Sequence, residues 1–252
     1  MIQLTKKYKY YTSVTYNNEQ YDIENELIIK YSISTGKEFT KFEWDKIIEE
    51  NTYYYYDRLG KNKLKRLITT HELREFLLEK EAPINIINKL IEKYQKYNFL
   101  NDRYYIKSYL ERKQTKEGPR LIFKKLLEKG ISKELINEEL SKVDEEENIK
   151  EYINNKLNKL KNKTKKQITN QLKSELANKG FNYSIVNSSV DELLIDFTID
   201  ESQFIEKEFN KIYKRNFKTK EASELKYLIK QRLYQKGFNI DDINNIINKN
   251  IK

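Results

Sequence analysis

The sequence predicts a mainly α-helical protein: tandem three-helix repeats forming an elongated, curved helical array behind a small N-terminal β-rich module. Three observations carry this prediction. From about Phe42 onward, apolar residues recur at three- and four-residue spacing, the period of a helix with one buried stripe. Four segments of that region align with one another without gaps, the mark of a repeat architecture. Before Phe42 the pattern differs, with short aromatic and β-branched runs bounded by Asn and Gly.

The N-terminal module shows alternation in Tyr8–Lys9–Tyr10 and again in Val14–Thr15–Tyr16. Asn17–Asn18 supplies a turn before Tyr21–Asp22–Ile23, and a third run, Leu27 to Ile33, ends at Thr35–Gly36. These runs read as strands or a hairpin. Three strands are close to the minimum for a stable sheet, so the module is expected to pack on something else. Phe42 and the stretch Trp44–Asp45–Lys46–Ile47–Ile48 then open the first helix.

The repeat is read from Leu77–Glu92, Leu126–Ser141, Leu176–Asp191 and Leu233–Asn248. Their common lysine falls at Lys80, Lys129, Lys179 and Lys236, which gives spacings of 49, 50 and 57 residues. Each segment reads as helix, Lys-Gly, apolar residue, short polar loop, helix. A helix that ends in the left-handed conformation favours Gly there, and Gly130, Gly180 and Gly237 occupy that position. The first copy carries Glu81 instead, so its cap is expected to differ. Ile131, Phe181 and Phe238 are expected to fold back on the preceding helix. Pro83 and Pro119 suit first helical turns.

A third helix completes each unit. Leu100 is an apolar plug before the Asn101–Asp102 helix start, and Asp200–Glu201–Ser202–Gln203 starts the corresponding helix of the third copy. Thr164–Lys165–Lys166–Gln167 is a capping box opening that copy. The expected divisions are a β module leading into a helix over 1–50, repeats over 51–113, 114–163 and 164–217, and a partial helical hairpin over 218–252.

Composition excludes several chemistries. The 252 residues contain no Cys, which removes disulfides, thiolate metal sites and cysteine nucleophiles. A single histidine, His71, leaves no His-pair metal site. No GxxxxGK[ST] phosphate loop occurs, and the six glycines are scattered. The acidic run Asp144–Glu147 reads as a solvated helix end rather than a metal cluster, because consecutive carboxylates do not converge on one ion. The run Tyr53–Tyr56 reads as packing with a polar rim. No segment suits a signal peptide or a bilayer span. The expectation is a soluble, cytoplasmic protein without catalytic residues, metal, cofactor or membrane partner.

Charge is distributed unevenly. The chain carries 49 basic and 39 acidic residues, a net of +10. The first 60 residues hold 8 basic and 10 acidic residues, so the remaining 192 carry +12. Basic residues cluster between Arg103 and Lys125, between Lys156 and Lys173, and between Lys207 and Lys236. One such cluster is commonly a solvated face; three recurring with the repeat suit a surface that tracks an acidic polymer. Tyr105, Tyr109, Tyr213 and Tyr227 have the ring chemistry to stack on bases, although at helical spacing they are more often core.

The ordered set Glu72–Leu73–Arg74, Phe99–Leu100–Asn101–Asp102, Gly118–Pro119–Arg120–Leu121–Ile122 and the repeated Lys-Gly-[Ile/Phe] resembles the RecX family, bacterial regulators of the RecA recombinase. A Thr35–Gly36–Lys37–Glu38 turn in the β module fits as well. The resemblance covers most of the chain and is strongest from Glu72 to Leu140. It implies a modular helical protein that lodges along the groove of a RecA–DNA filament. It also implies modulation of RecA, mostly inhibition of its ATPase and recombinase functions, with no catalysis of its own and with secondary, sequence-independent binding of single- and double-stranded DNA. A monomer is expected. The candidate contacts are Arg74, Arg112, Lys113, Arg120, Lys124, Lys163, Lys165 and Lys166. The alternative is a general nucleic-acid-binding helical scaffold with no RecA partner.

Overall fold

The structure is a computed structural model that describes residues 1–157, 160 and 163–251. The chain divides into two compact units, residues 1–106 with 127–132, and residues 107–126 with 133–252.

The first unit opens with an antiparallel sheet in the order β1-β2-β3: β1 (Gln3–Lys7), β2 (Tyr11–Tyr16) and β3 (Glu19–Glu24). Tyr16 pairs with Glu19 across Asn17–Asn18, whose φ angles are 48° and 66°. Two successive residues at positive φ make the two-residue turn that matches the twist of a hairpin, and Asn tolerates that conformation. Two expectations are corrected here. Residues 8–10 link β1 to β2 rather than forming a strand, and the apolar run from Leu27 is not a strand but helix α1 (Asn25–Lys30). A short continuous apolar run fits either state by periodicity alone. In α1 only Leu27 is fully buried, while Ile29 is exposed, as a single helical turn against a sheet requires.

Helix α2 (Lys41–Lys63) starts on a capping box in which Thr40 accepts from the Glu43 amide and Glu43 accepts from the Thr40 amide. This one helix serves two cores. Its first half adds Trp44 and Ile47 to the sheet core of Ile2, Val14, Tyr16, Ile23, Leu27 and Ile33. Its second half adds Tyr56 to the hairpin of α3 (Thr70–Glu79) and α4 (Ile84–Lys96), through Leu73, Leu77, Ile87, Leu90 and Tyr94. Residue 50 therefore lies inside a continuous helix. Helices α5 (Asp102–Lys113) and α6 (Pro119–Glu128) follow.

The second unit continues with α7 (Lys133–Leu140), α8 (Glu145–Leu157), α9 (Lys165–Asn178), α10 (Tyr183–Leu194), α11 (Ser202–Asn216), α12 (Ala222–Gln235) and α13 (Ile240–Asn250). Two three-helix cores form. In one, Ile149 and Ile153 of α8 pack on Ile168, Leu172, Leu176, Phe181, Val186 and Val190 of the α9–α10 hairpin. In the other, Ile205, Phe209 and Ile212 of α11 pack on Leu225, Ile229, Leu233, Phe238, Ile243 and Ile247 of the α12–α13 hairpin. The cores are thus phased one helix earlier than the sequence repeat: each hairpin buries its stripe against the helix before it. Helix α10, with its Asn187–Ser188–Ser189 interruption, is continuous. Ser189 is buried there with an unpartnered hydroxyl, a polar group at a core position.

All four Lys-Gly positions adopt the same left-handed cap, which corrects the expectation for Glu81. Gly130, Gly180 and Gly237 have φ of 73°, 87° and 91°, and Glu81 has φ of 59°. The Ala82 amide donates to Leu77 O at 3.0 Å, as Phe181 does to Leu176 O at 3.2 Å, closing the helix end in the same way. The Tyr56 hydroxyl, from α2, donates toward Lys80 O and Glu81 O at 3.2 Å each, which helps hold the strained copy. A side chain at positive φ costs about 1 kcal/mol. Glu81→Gly is therefore expected to raise the unfolding free energy by roughly 0.5–1 kcal/mol in urea titrations.

Asp57 of α2 anchors the first hairpin. Its side chain is 3% exposed and accepts from Lys61 Nζ, Lys93 Nζ (2.8 Å each) and the Tyr94 hydroxyl (2.9 Å). Burial by itself raises a carboxyl pKa, but these three donors outweigh it and hold Asp57 below its usual 3.8. Glu72 and Glu117 are held below 4.5 in the same balance, chiefly by Lys129 and Lys125 respectively. A carboxyl lowered on folding adds stability above its unfolded pKa, and that stability is lost as pH falls through the folded value. Melting temperature is expected to fall on acidification below about pH 4.5, and Asp57→Asn is expected to flatten part of that slope.

Candidate nucleic-acid interface

The interface is built on a recurring joint between repeats. In the first unit the Thr69 hydroxyl, capping α3, donates to Lys129 O at 2.7 Å, and Lys129 Nζ lies 2.6 Å from Glu72. In the second, the Thr164 hydroxyl, capping α9, donates to Lys236 O at 2.8 Å. Gly118, at the start of α6, donates its amide to Lys179 O at 2.8 Å, and the Arg120 amide donates to Gly180 O at 3.2 Å. The start of one repeat's first helix therefore seats on the Lys-Gly turn of a later repeat. This gives the glycines a second reason. A Cβ at Gly130 would overlap the His71 ring, and one at Gly237 would lie 2.8 Å from Lys166 Cβ. His71 is thus a packing neighbour of the Gly130 turn.

A second contact repeats as well. Asp102, opening α5, accepts from the Thr70 amide at 2.8 Å, and Glu201, preceding α11, accepts from the Lys165 amide at 2.8 Å. Each carboxylate sits at the positive end of a neighbouring first helix. Glu201 nevertheless has a raised pKa, because burial and the nearby Asp242 outweigh that hydrogen bond.

The expected contact residues fall into three places. Arg74 lies on α3 of the first unit, its guanidinium 3.0 Å from Asn88 Oδ1. Arg112 and Lys113 occupy the last turn of α5, where Arg112 Nε donates to Ser108 O and Lys113 lies 3.8 Å from Glu117. Glu117 also takes Lys125 at 2.8 Å, so part of that basic cluster is internally neutralised. Arg120 and Lys124 are exposed on α6, one turn apart. Lys163 bonds Gln171 Oε1, and Lys165 Nζ donates to Ile195 O at 3.0 Å, so both serve internal acceptors. Lys166 is exposed beside Gly237. Lys159 and Lys161 of the same basic cluster lie outside the described residues.

One convergence of cations was not singled out by the sequence. Lys211 and Arg215 on α11 meet Arg232 and Lys236 on α12 in a groove of about 340 Å³, with Gln167, Glu208, Ile212 and Gln235 completing its walls. Glu208 pairs with Lys236 at 2.9 Å. Lys211, Arg215 and Arg232 make no ion pair among the described residues and are exposed. Lys211 and Arg215 stand at i, i+4, a like-charge spacing that weakens a helix. A groove that holds unpaired like charges together is suited to an anion such as phosphate. Sequence alone marked the Lys207–Lys236 stretch but not which of its ten cations share a wall.

The tyrosines separate clearly. Tyr105 is buried, Tyr213 is stacked between Phe209 and Phe217 at 5.7 and 5.4 Å, and the Tyr109 hydroxyl donates to Glu117 at 3.0 Å. Tyr227 alone of the four is widely exposed. Asp144 accepts from the Glu147 amide at 3.0 Å, so the acidic run is the capped start of α8. Among the described residues no group of three or more His, Asp or Glu side chains is arranged to hold a metal ion, and no helix is long and apolar enough to cross a membrane.

No family model matches the chain. A regulatory protein RecX of Streptococcus uberis is 27% identical over 98% of this chain and 98% of its own length. A regulatory protein RecX of Streptococcus pneumoniae is 28% identical over 96% of this chain and 95% of its own. Among solved structures, a crystal structure of regulatory protein RecX superposes with a TM-score of 0.55 at 18% identity, covering 78% of this chain and 98% of that one. The RecX structure from Lactobacillus salivarius superposes with a TM-score of 0.52 at 22% identity, over 58% of this chain and 99% of that one. By sequence along almost its whole length, and by the fold it shares with the solved structures, this chain is a homologue of the RecX regulatory proteins.

Proposed function

We propose that this protein regulates RecA without catalysis of its own, by lodging along the groove of the RecA–DNA filament and restraining RecA's ATPase and recombinase activity. Direct binding of single- and double-stranded DNA, independent of sequence, accompanies that role. The observation that carries the nucleic-acid part is the α11–α12 groove, where Lys211, Arg215 and Arg232 converge without acidic partners. Arg74, Arg112, Lys113, Arg120, Lys124, Lys163, Lys165 and Lys166 add further basic contacts, those with internal partners once these are released. Nothing in this set resembles a base-reading helix, so contacts go to phosphate and binding weakens steeply with salt. The RecA partner follows from the kinship to RecX proteins. We place the protein in the cytoplasm, acting as a monomer, with weak contacts spaced by the repeat summing to useful avidity.

The groove equally favours a second reading, a nucleic-acid-binding helical scaffold indifferent to RecA. Binding measured on naked single-stranded DNA and on the same DNA coated with RecA separates the two. The regulator binds the filament more tightly than the bare strand; a scaffold binds the bare strand as well or better.

A further inference from the structure

We propose that the outward face of α12 is a stacking platform for unpaired nucleobases, so that this part of the protein takes single-stranded nucleic acid in preference to duplex. The proposal rests on the nucleic-acid reading above and deepens it. Helix α12 buries Leu225, Ile229 and Leu233 in its three-helix core. On the opposite side Tyr227, Lys230, Gln231 and Tyr234 follow one another at i, i+3, i+4 and i+7, a single stripe. With Ile240 they line a shallow depression of about 310 Å³. Tyr227 is 70% exposed and Tyr234 60%. Among the described residues neither ring pairs with another aromatic ring or with a cation, and neither hydroxyl has a hydrogen-bond partner. One exposed tyrosine is ordinary on a protein surface. Two unpartnered rings on one stripe with a lysine between them form a surface with π-faces and positive charge together.

Charge complementarity identifies the occupant. The one acidic side chain within α12, Glu224, is paired with Lys220 at 3.4 Å, while the helix carries Lys226, Lys230 and Arg232. Lys226 and Lys230, one turn apart, stand on the flank of the tyrosine stripe, whereas Arg232 lies about 150° round the helix and walls the cationic groove. A strand whose phosphates follow those two lysines therefore brings its bases across the tyrosines. At the other end Asp241 and Asp242 follow Ile240 and repel phosphate, which favours a backbone along Lys226 and Lys230. Seven helical residues set the two rings about 10 Å apart along the axis, so each takes a separate base. Every base has a π-face, so stacking tolerates any sequence. In duplex those faces are covered by neighbouring bases and the platform gains nothing.

The test uses the full-length protein and fluorescence anisotropy with three probes: a labelled single-stranded oligothymidylate, an abasic strand of equal length, and a duplex. The wild-type protein is expected to bind the base-bearing strand more tightly than the abasic one. Replacing both tyrosines by alanine (Y227A/Y234A) is expected to weaken binding of the base-bearing strand at least tenfold. The same variant should leave the abasic and duplex affinities unchanged. Y227F/Y234F should keep wild-type binding, whereas Y227L/Y234L, apolar but without a π-face, should behave like the alanine variant. Unchanged affinity of the folded alanine or leucine variant for the base-bearing strand overturns the platform while leaving duplex binding in the groove intact. Loss of RecA-filament binding with single-strand binding retained also overturns it, and marks the face as a protein contact. Failure of the wild-type protein to bind any of the three probes removes the nucleic-acid reading itself, and the platform with it.

Discussion

Gly118→Ala is expected to destabilise the protein by about 3 kcal/mol or more, a large effect for one methyl group. A Cβ at this position would overlap Phe181 N and Gly180 C, and both belong to backbone that no rotamer change can move aside. Overpacking of this kind costs about 1–3 kcal/mol. Shifting the backbone to relieve it also breaks the 2.8 Å bond from Gly118 N to Lys179 O and the 3.2 Å bond from Arg120 N to Gly180 O. Each such bond contributes about 0.5–1.5 kcal/mol. Gly36 is the natural control. It has φ of 86°, and a Cβ there meets nothing within 4 Å, so Gly36→Ala should cost only the backbone strain, about 1–2 kcal/mol. Urea unfolding of the two variants side by side checks the ranking. Equal losses would mean that the α6 start does not seat on the Lys179–Gly180 turn in solution.

The second large effect concerns binding. Lys211→Glu, Arg215→Glu and Arg232→Glu together are expected to weaken nucleic-acid binding on the order of 30- to 100-fold at moderate salt. The slope of log affinity against log salt should also become shallower by about 2–3, the value for three lost phosphate contacts. All three side chains are exposed and make no ion pair among the described residues, so the melting temperature should barely change. Salt-titrated anisotropy on one duplex and one single strand of the same length measures both quantities. A slope that stays at the wild-type value would place the phosphate contacts elsewhere, on the α5–α6 surface of Arg112, Arg120 and Lys124.

Local signals carried most of the fold into the sequence. Thr164–Gln167 announced a helix start, and Gly130, Gly180 and Gly237 announced helix ends, because caps depend on residues three or four apart. The Leu27–Ile33 run misled, since three successive apolar residues satisfy a strand or a helix turn equally. Glu81 misled in the opposite direction. The surrounding structure, including Tyr56 from α2, imposes the left-handed cap even where no glycine is present. The joints between repeats were not legible, because Thr69 meets Lys129 from 60 residues away and Thr164 meets Lys236 from 72. The same limit applied to the groove. Lys211 and Arg232 lie in one basic stretch of sequence, but only the packing of α11 on α12 puts them on facing walls while Lys163 and Lys165 turn to internal acceptors.

The proposed role as a RecA regulator is tested most directly by following ATP hydrolysis of RecA on single-stranded DNA while the wild-type protein is added up to equal stoichiometry. A regulator that lodges in the filament lowers the rate progressively, and the Lys211, Arg215 and Arg232 charge-reversal variant requires more protein for the same effect. An unchanged rate at equal stoichiometry, with naked DNA still bound, contradicts the proposal and leaves a nucleic-acid scaffold.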